Sequence, residues 1–374
     1  MKDHISPLVG QLNKYSKRFD YNSLLKILLY AQISWKDSIR DIETSLSAHH
    51  NKLYHLWFNS IARSTISYWN NKVPDSLLED LFYKIYEKYN SQYIMKNKTM
   101  PINCIALDST LVSLALSTHD RAKHRTTKWW IRVHVWLEVQ DCIPRFLIIK
   151  NANIGDNVVA RELIKNWKLY KWECIVFDRY YVDFDLWNMI DEQESYFVTR
   201  TKTNTDYIIT QYNEVYEKDI VLDWVIELFW DQWRKKYQKK LRIVRFYDEA
   251  NDREFEYITN NMGLSALQIA DIYKNRRRIE EFFKRVKQNL KIKSFLGSSE
   301  KAIKNQIRVA MIYYLLTHYL AYSAKIDKQK ILKLIRIIRE KCLYNISMVD
   351  IFAMLHQRPK TMNVQAPPWS LFEI

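Results

Sequence analysis

Glycine is nearly missing from this chain. A protein of 374 residues at ordinary usage would carry roughly 26. This one has four: Gly10, Gly155, Gly263 and Gly297. Their positions form neither GxGxxG nor GxxxxGK[ST], so the two glycine-rich ways of cradling a nucleotide phosphate are excluded. Cysteine is sparse as well. Cys104, Cys142, Cys174 and Cys342 make no CxxC pair and sit among apolar neighbours. That speaks against a zinc site or a disulfide framework and fits a reducing compartment. The N-terminus, MKDHISPLVGQLNKY, lacks the apolar stretch of a signal peptide, so a cytoplasmic location is expected. The apolar run from Val309 to Ala324 is too short and too rich in Tyr and His for a membrane span. It reads as a buried helix.

What the chain has in excess is positive charge. Lys and Arg number 58 against 42 Asp and Glu, a formal net charge of +16. Such an excess favours a polyanionic partner, and nucleic acid is the usual one. With 48% hydrophobic residues the chain can bury substantial cores, and its length suggests more than one domain.

Residues 1–98 read as helical. Apolar residues recur at helical spacing in Tyr21–Ile33, Leu53–Ile66 and Leu77–Tyr89. The segment Ser60–Trp69 has the look of a short helix-turn-helix, which marks 1–98 as a DNA-binding domain. The pattern changes at Pro101. Short runs at Ile102–Leu107, Ile131–Val139 and Arg145–Lys150 predict an antiparallel meander. A helix (Asp156–Trp167), a strand (Cys174–Phe177), a second helix (Asp183–Gln193) and a fifth strand (Tyr196–Arg200) follow. The fold class is therefore mixed α/β, with the element order of an RNase H-like core whose first part spans 99–200. Asp108 closes the first strand and Asp178 the fourth. Strands one and four are neighbours in that topology, so the two carboxylates come together. Residues 201–262 predict a β-rich insertion. It contains Trp224, Trp230 and Trp233, which either pack its own core or stack on unpaired bases. The core resumes at 263–300 with a strong helix over 266–291, and 301–374 is helical with a basic face in Lys328–Lys341.

Cutting and rejoining a phosphodiester needs an activated oxygen nucleophile and a stabilised leaving oxygen. Two divalent ions held by carboxylates supply both, and Mg²⁺ takes hard oxygen ligands. A third acid is therefore sought on the 266–291 helix. At about 100° per residue, Tyr273, Arg276, Glu280 and Lys287 point to roughly 0°, 300°, 340° and 320°. One stripe thus carries an acid, two cations and a phenol, suited to a metal ligand with phosphate contacts beside it. Between Tyr273 and Lys293 nine Lys or Arg stand against two Glu. The second acid, Glu281, lies about 100° round from Glu280, and Phe282 and Phe283 face the core.

The spacing Tyr273-x2-Arg276-x3-Glu280-x6-Lys287 resembles the Y-x2-R-x3-E-x6-K signature of the insertion-sequence-four family of DDE transposases. Ala106-Leu-Asp108-Ser-Thr110 is similar to that family's first-aspartate motif, and Val176-Phe-Asp178-Arg-Tyr-Tyr-Val-Asp-Phe184 to its second. The likeness runs along nearly the whole chain. It implies that Asp108, Asp178 and Glu280 are the catalytic, metal-binding acids for two Mg²⁺ or Mn²⁺ ions. It implies that Tyr273, Arg276 and Lys287 contact transposon-end DNA. It further implies cleavage at terminal inverted repeats, joining to target DNA, a homodimer in a synaptic complex and association with the nucleoid. The sequence departs from the family at Tyr180, where a glycine is usual, and at Trp129-Trp130, where a Gly-Gly pair is frequent. Gly155 replaces a common His and Arg277 a frequent Trp. Two alternatives stay open on the sequence: a derivative that binds DNA without cutting it, and an RNase H-like nuclease without strand transfer.

Overall fold

The computed structural model describes residues 7–14, 19–52, 61–92, 102–113, 130–166, 169–202, 205–290, 292, 295–297, 299–342, 344 and 347–356. The chain opens with helices α1 (Pro7–Asn13), α2 (Tyr21–Ile33), α3 (Ile39–Ala48), α4 (Arg63–Lys72) and α5 (Asp75–Gln92). Capping fixes two starts: the Asp20 side chain accepts from the Ser23 amide at α2, and Ser38 accepts from the Asp41 amide at α3. Residues 53–60, half of one expected helix, lie outside the described residues, as does Trp129.

Strands β1 (Cys104–Ser113), β2 (Trp130–Glu138) and β3 (Ile143–Asn151) form an antiparallel meander. Helix α6 (Asp156–Asn166) leads to β4 (Cys174–Phe177), and α7 (Phe184–Glu192) leads to β5 (Tyr196–Arg200). Both β4 and β5 join in parallel, so β4 lies between β1 and β5. This is the strand order of an RNase H-like core. One expectation needs correction. Strand β1 does not end at Asp108 but pairs with β2 as far as Ser113. What ends is its pairing with β4, at Leu107 opposite Phe177. The run Ser-Thr-Leu-Val-Ser keeps the alternation and β-branching of a strand, so the β1–β2 ribbon projects past the acid.

The insertion does not form a separate sheet. Strands β6 (Tyr207–Tyr212) and β7 (Ile220–Leu228), the short helix α8 (Asp231–Arg234), β8 (Leu241–Asp248) and β9 (Arg253–Thr259) extend the core sheet through β9 against β5. The nine strands run in the order β3-β2-β1-β4-β5-β9-β8-β7-β6. Then come α9 (Ala266–Lys274), α10 (Arg277–Asn289), α11 (Glu300–Ser323), α12 (Ile331–Lys341) and α13 (Met348–His356). The single helix expected over 266–291 is broken at Asn275–Arg276. Among the described residues no helix is long and apolar enough to cross a membrane.

Strand alternation sorts the core into two layers. Ile105, Leu107, Ile175, Phe177 and Phe197 face α6 and α7. Cys104, Ala106, Cys174, Val176 and Val198 face the other way, toward a cluster that includes residues of α2, α4, α5, α9, α10 and α11. The N-terminal helices therefore share a core with α10 and α11 rather than standing apart.

A buried ionic network ties this second layer to the sheet. Glu138, Arg145 and Glu173 are each 3% exposed or less. Arg145 donates to Glu173 at 2.8 and 3.0 Å and lies 3.5 Å from Glu138. The Tyr86 hydroxyl of α5 donates to Glu138 at 2.9 Å. One guanidinium balances two carboxylates, so a charge is left over. Burial, with Glu173 adding to it, pushes Glu138 up to about 7 against the pull of Arg145. A raised carboxyl favours the fold while protonated, and that contribution is lost as pH rises toward 7. Glu138→Gln should therefore melt higher than the parent at pH 8.5, with the gap closing by pH 5. Thermal unfolding at the two pH values checks this.

Candidate active site

Asp108 lies within β1, one residue past the end of its pairing with β4, and the Ser109 amide donates to its Oδ1 at 2.8 Å. Asp178 is the first residue after β4. It opens a 3₁₀ turn, Arg179–Tyr181, anchored by the buried Tyr181 ring. Glu280 lies in the first turn of α10, where a carboxylate suits the positive end of the helix dipole. Ile279, Phe282, Phe283 and Val286 bury the inner face of α10. Arg278 Nη1 ties the helix to the end of β2 by donating to the carbonyls of Val139 at 2.8 Å and Gln140 at 3.1 Å.

The three acids meet around one cation. Arg276 Nη1 is 3.9 Å from Asp108 Oδ2 and 3.8 Å from Asp178 Oδ2, and its Nη2 donates to Glu280 Oε1. Its side chain is only 13% exposed. Burial works against this charge, but Tyr273, Glu280 and Asp178 outweigh it and raise the guanidinium's pKa further. Burial also pushes Asp108 up, to about 6. The Ser109 amide and Arg276 resist, while Asp178 and Glu280 add to the rise.

Of the other stripe residues, Tyr273 is half-buried. Its ring centroid stands 4.7 Å from that of Tyr257, and the Arg276 guanidinium lies 5.8 Å from the Tyr273 ring. Lys287 lines a cavity of about 320 Å³ together with Asp108, Asp178, Arg132, Asp156 and Tyr180. Glu281 turns away. It pairs with Arg285 at 3.6 Å and lines a different, larger cavity of about 760 Å³ between α10, α11 and α12. None of the three acids lines that cavity. Of the insertion's tryptophans, Trp233 packs on Phe184 of α7 with ring centroids 5.3 Å apart. Trp224 meets Tyr212, and Trp230 is half exposed with its indole N–H on Asp206.

The structure adds a group that sequence reasoning passed over. Asp156, at the start of α6, accepts from Ser109 Oγ at 2.9 Å and Arg132 Nη1 at 2.7 Å, and lies 3.5 Å from His134 Nδ1. Burial pushes the His134 imidazole down despite Asp156 beside it. The cross-strand pairing of Ser109 with His134 was unreadable without the register. Among the described residues no three His, Cys, Asp or Glu groups close tightly enough to cage a metal ion.

Residues 99–316 match the family model described as the transposase DDE domain, and residues 9–59 match a domain of unknown function. The chain is 27% identical over 279 residues to a protein assigned as the transposase of insertion sequence element IS5377 of Geobacillus stearothermophilus, covering 74% of this chain and 72% of that one. It is 31% identical over 191 residues to a protein assigned as transposase y4zB of Sinorhizobium fredii, covering 50% of this chain and 52% of that one. Among solved structures, a piggyBac transposase synaptic complex with hairpin DNA aligns at a TM-score of 0.46 and 9% identity, over 94% of this chain and 78% of that one. That likeness is too distant to add to the family match. The transposase DDE domain model spans more than half of the chain, and by that match the chain belongs to the DDE transposases, enzymes that cut and join DNA and whose domain generally implies divalent metal use.

Proposed function

We propose that Asp108, Asp178 and Glu280 are the catalytic carboxylates, and that they hold two Mg²⁺ or Mn²⁺ ions while the enzyme cleaves its element's terminal inverted repeats and joins them to target DNA. The observation that carries this reading is the meeting of three acids, far apart in sequence and on three different elements, around the Arg276 guanidinium. The donor set suits the ions. It is all oxygen and partly exposed, and Mg²⁺ keeps several waters and needs few protein ligands, so no closed cage is required. Bound there, the ions would supply an activated oxygen nucleophile and a stabilised leaving oxygen. The protein's own contribution is placement. Asp108 is fixed by the sheet and the Ser109 amide, Asp178 by the anchored turn, and Glu280 by the buried face of α10. Water is the first nucleophile and a 3′-hydroxyl the second. Lys287, on the cavity wall, meets a phosphate of the transposon end, with Tyr273 and Arg276 beside it as the resemblance implies. The region 1–98 assists in gripping DNA, and two copies hold two ends in a synaptic complex on chromosomal DNA in the cytoplasm.

Asp108→Asn, Asp178→Asn and Glu280→Gln should each abolish metal-dependent nicking of flanking inverted-repeat DNA while end binding persists, and Glu281→Gln should keep activity. Activity lost in Glu281→Gln but kept in Glu280→Gln would reverse the assignment. End binding by the parent with no nicking in either metal would leave a DNA-binding derivative instead. Nicking without joined products would leave a nuclease. Lys287→Ala should weaken end binding and lower the salt dependence of log K by about one unit. Binding isotherms at several salt concentrations measure this, and an unchanged slope removes Lys287 from the phosphate contacts.

A further inference from the structure

Tyr180 follows the second acid by two residues and is 75% exposed. A single exposed aromatic is ordinary on a protein surface. Three further observations set this one apart. Its ring lines the same cavity as Asp108, Asp178 and Lys287. The turn that carries it is firmly held: the Tyr181 amide donates to the Asp178 carbonyl at 2.9 Å and the Val182 amide to the Arg179 carbonyl at 3.2 Å. Next to it, Tyr181 is buried, with its ring 6.2 Å from that of Phe177. Tyr180 itself has no ring contact or hydrogen bond among the described residues, and its backbone is not in the left-handed region. The side chain therefore does not strain the turn. It leaves a flat, rigid π-face at the rim of the acids, flanked by the exposed cation Arg179.

We propose that Tyr180 is a stacking platform for an unpaired nucleobase next to the bond being cut. This rests on the reading of the cavity as the site of DNA cleavage. Bases in an intact duplex stack on one another, so a ring at the rim is of use only to a base that has left the helix. Lys287 on the cavity wall, with the exposed Arg179 next to Tyr180 in sequence, would meet the phosphates flanking that nucleotide, as in single-strand sites that combine a cationic track with aromatic faces. The ligand is thus a nucleotide at a frayed or opened end, recognised by its π-face without regard to base identity.

The test compares two synthetic probes with the full-length protein in Ca²⁺. One is a blunt duplex. The other is a fork of the same sequence with 2-aminopurine in its unpaired arm. Tyr180→Ala should weaken binding of the fork by roughly five- to hundredfold, the range of one lost base–aromatic stack, and relieve the quenching of 2-aminopurine seen with the parent. Blunt-duplex binding should stay within about twofold, and Tyr180→Phe should behave as the parent with both probes. Equal effects of Tyr180→Ala on fork and duplex, or none on either, overturn the platform. Lys287→Ala separates the two levels of the argument. If it changes neither probe, the cavity is not where DNA lies and the proposed function fails with it. If it weakens both while Tyr180→Ala weakens neither, only the stacking role is lost.

Discussion

Three carboxylates cannot share one end of a sheet without a cation among them. Two like charges about 4 Å apart repel by ~4 kcal/mol at the effective dielectric of a protein surface, and three compound the problem. The fold answers with Arg276, whose charge persists at any working pH. Its guanidinium lies within 4 Å of an oxygen of each acid. Even so Asp108 is pushed up to about 6, chiefly by burial, with the other two acids adding to the rise.

Most of the architecture serves to bring Arg276 and Glu280 to that point. The insertion strands extend the core sheet and return the chain along β5, so that β9 delivers it to the foot of α9. The hand-over is well fastened. Asn260 accepts from the Phe197 amide at 2.9 Å, and Asn261 accepts from the amides of Gly263 and Leu264, each at 2.9 Å. Arg242, buried in a pair with Asp223, also donates to the Leu264 carbonyl. Ser265 and Gln268 then form a reciprocal capping box at the start of α9. The insertion thus does more than enlarge the protein. It fixes where the chain enters α9, which leads into α10 and Glu280.

The parallel core was legible in the sequence because short apolar runs such as Cys174–Phe177, fully buried between two layers, leave few other readings. The placement of Glu280 toward the aspartates was legible from helical periodicity. Phe282 and Phe283 take the inner face of α10, which leaves Glu280 and Glu281 to be distinguished by a turn of about 100°. The structure puts Glu280 with the aspartates and Glu281 with Arg285. What periodicity could not show was the break at Asn275–Arg276, because both halves keep nearly the same phase and neither glycine nor proline marks it. Nor could it show that the insertion strands would join the core sheet, since strand pairing is a long-range choice that local alternation does not encode. The Asp156 group was hidden for the same reason: Ser109, Arg132, His134 and Asp156 become neighbours only through the β1–β2 register and the entry of α6.

Arg276 is where sequence and geometry pull in different directions. The family resemblance implies that it contacts DNA, while the structure turns it onto the acids. The two are compatible in succession but not at once. Its guanidinium donates to Glu280 and lies 3.8–3.9 Å from oxygens of the two aspartates; if those carboxylates held divalent ions as proposed, a guanidinium could not stay so close without strong like-charge repulsion. An arginine here suits both situations. Its planar fork spans several carboxylate oxygens in the absence of other cations, and the same fork matches a phosphate when it is displaced. Tyr273 beneath it offers a π-face in either position. A lysine, a compact point charge on a flexible stem, would neutralise one acid and leave the other two opposed. The charge balance of the three acids thus depends on a guanidinium that also has the Tyr273 ring 5.8 Å away.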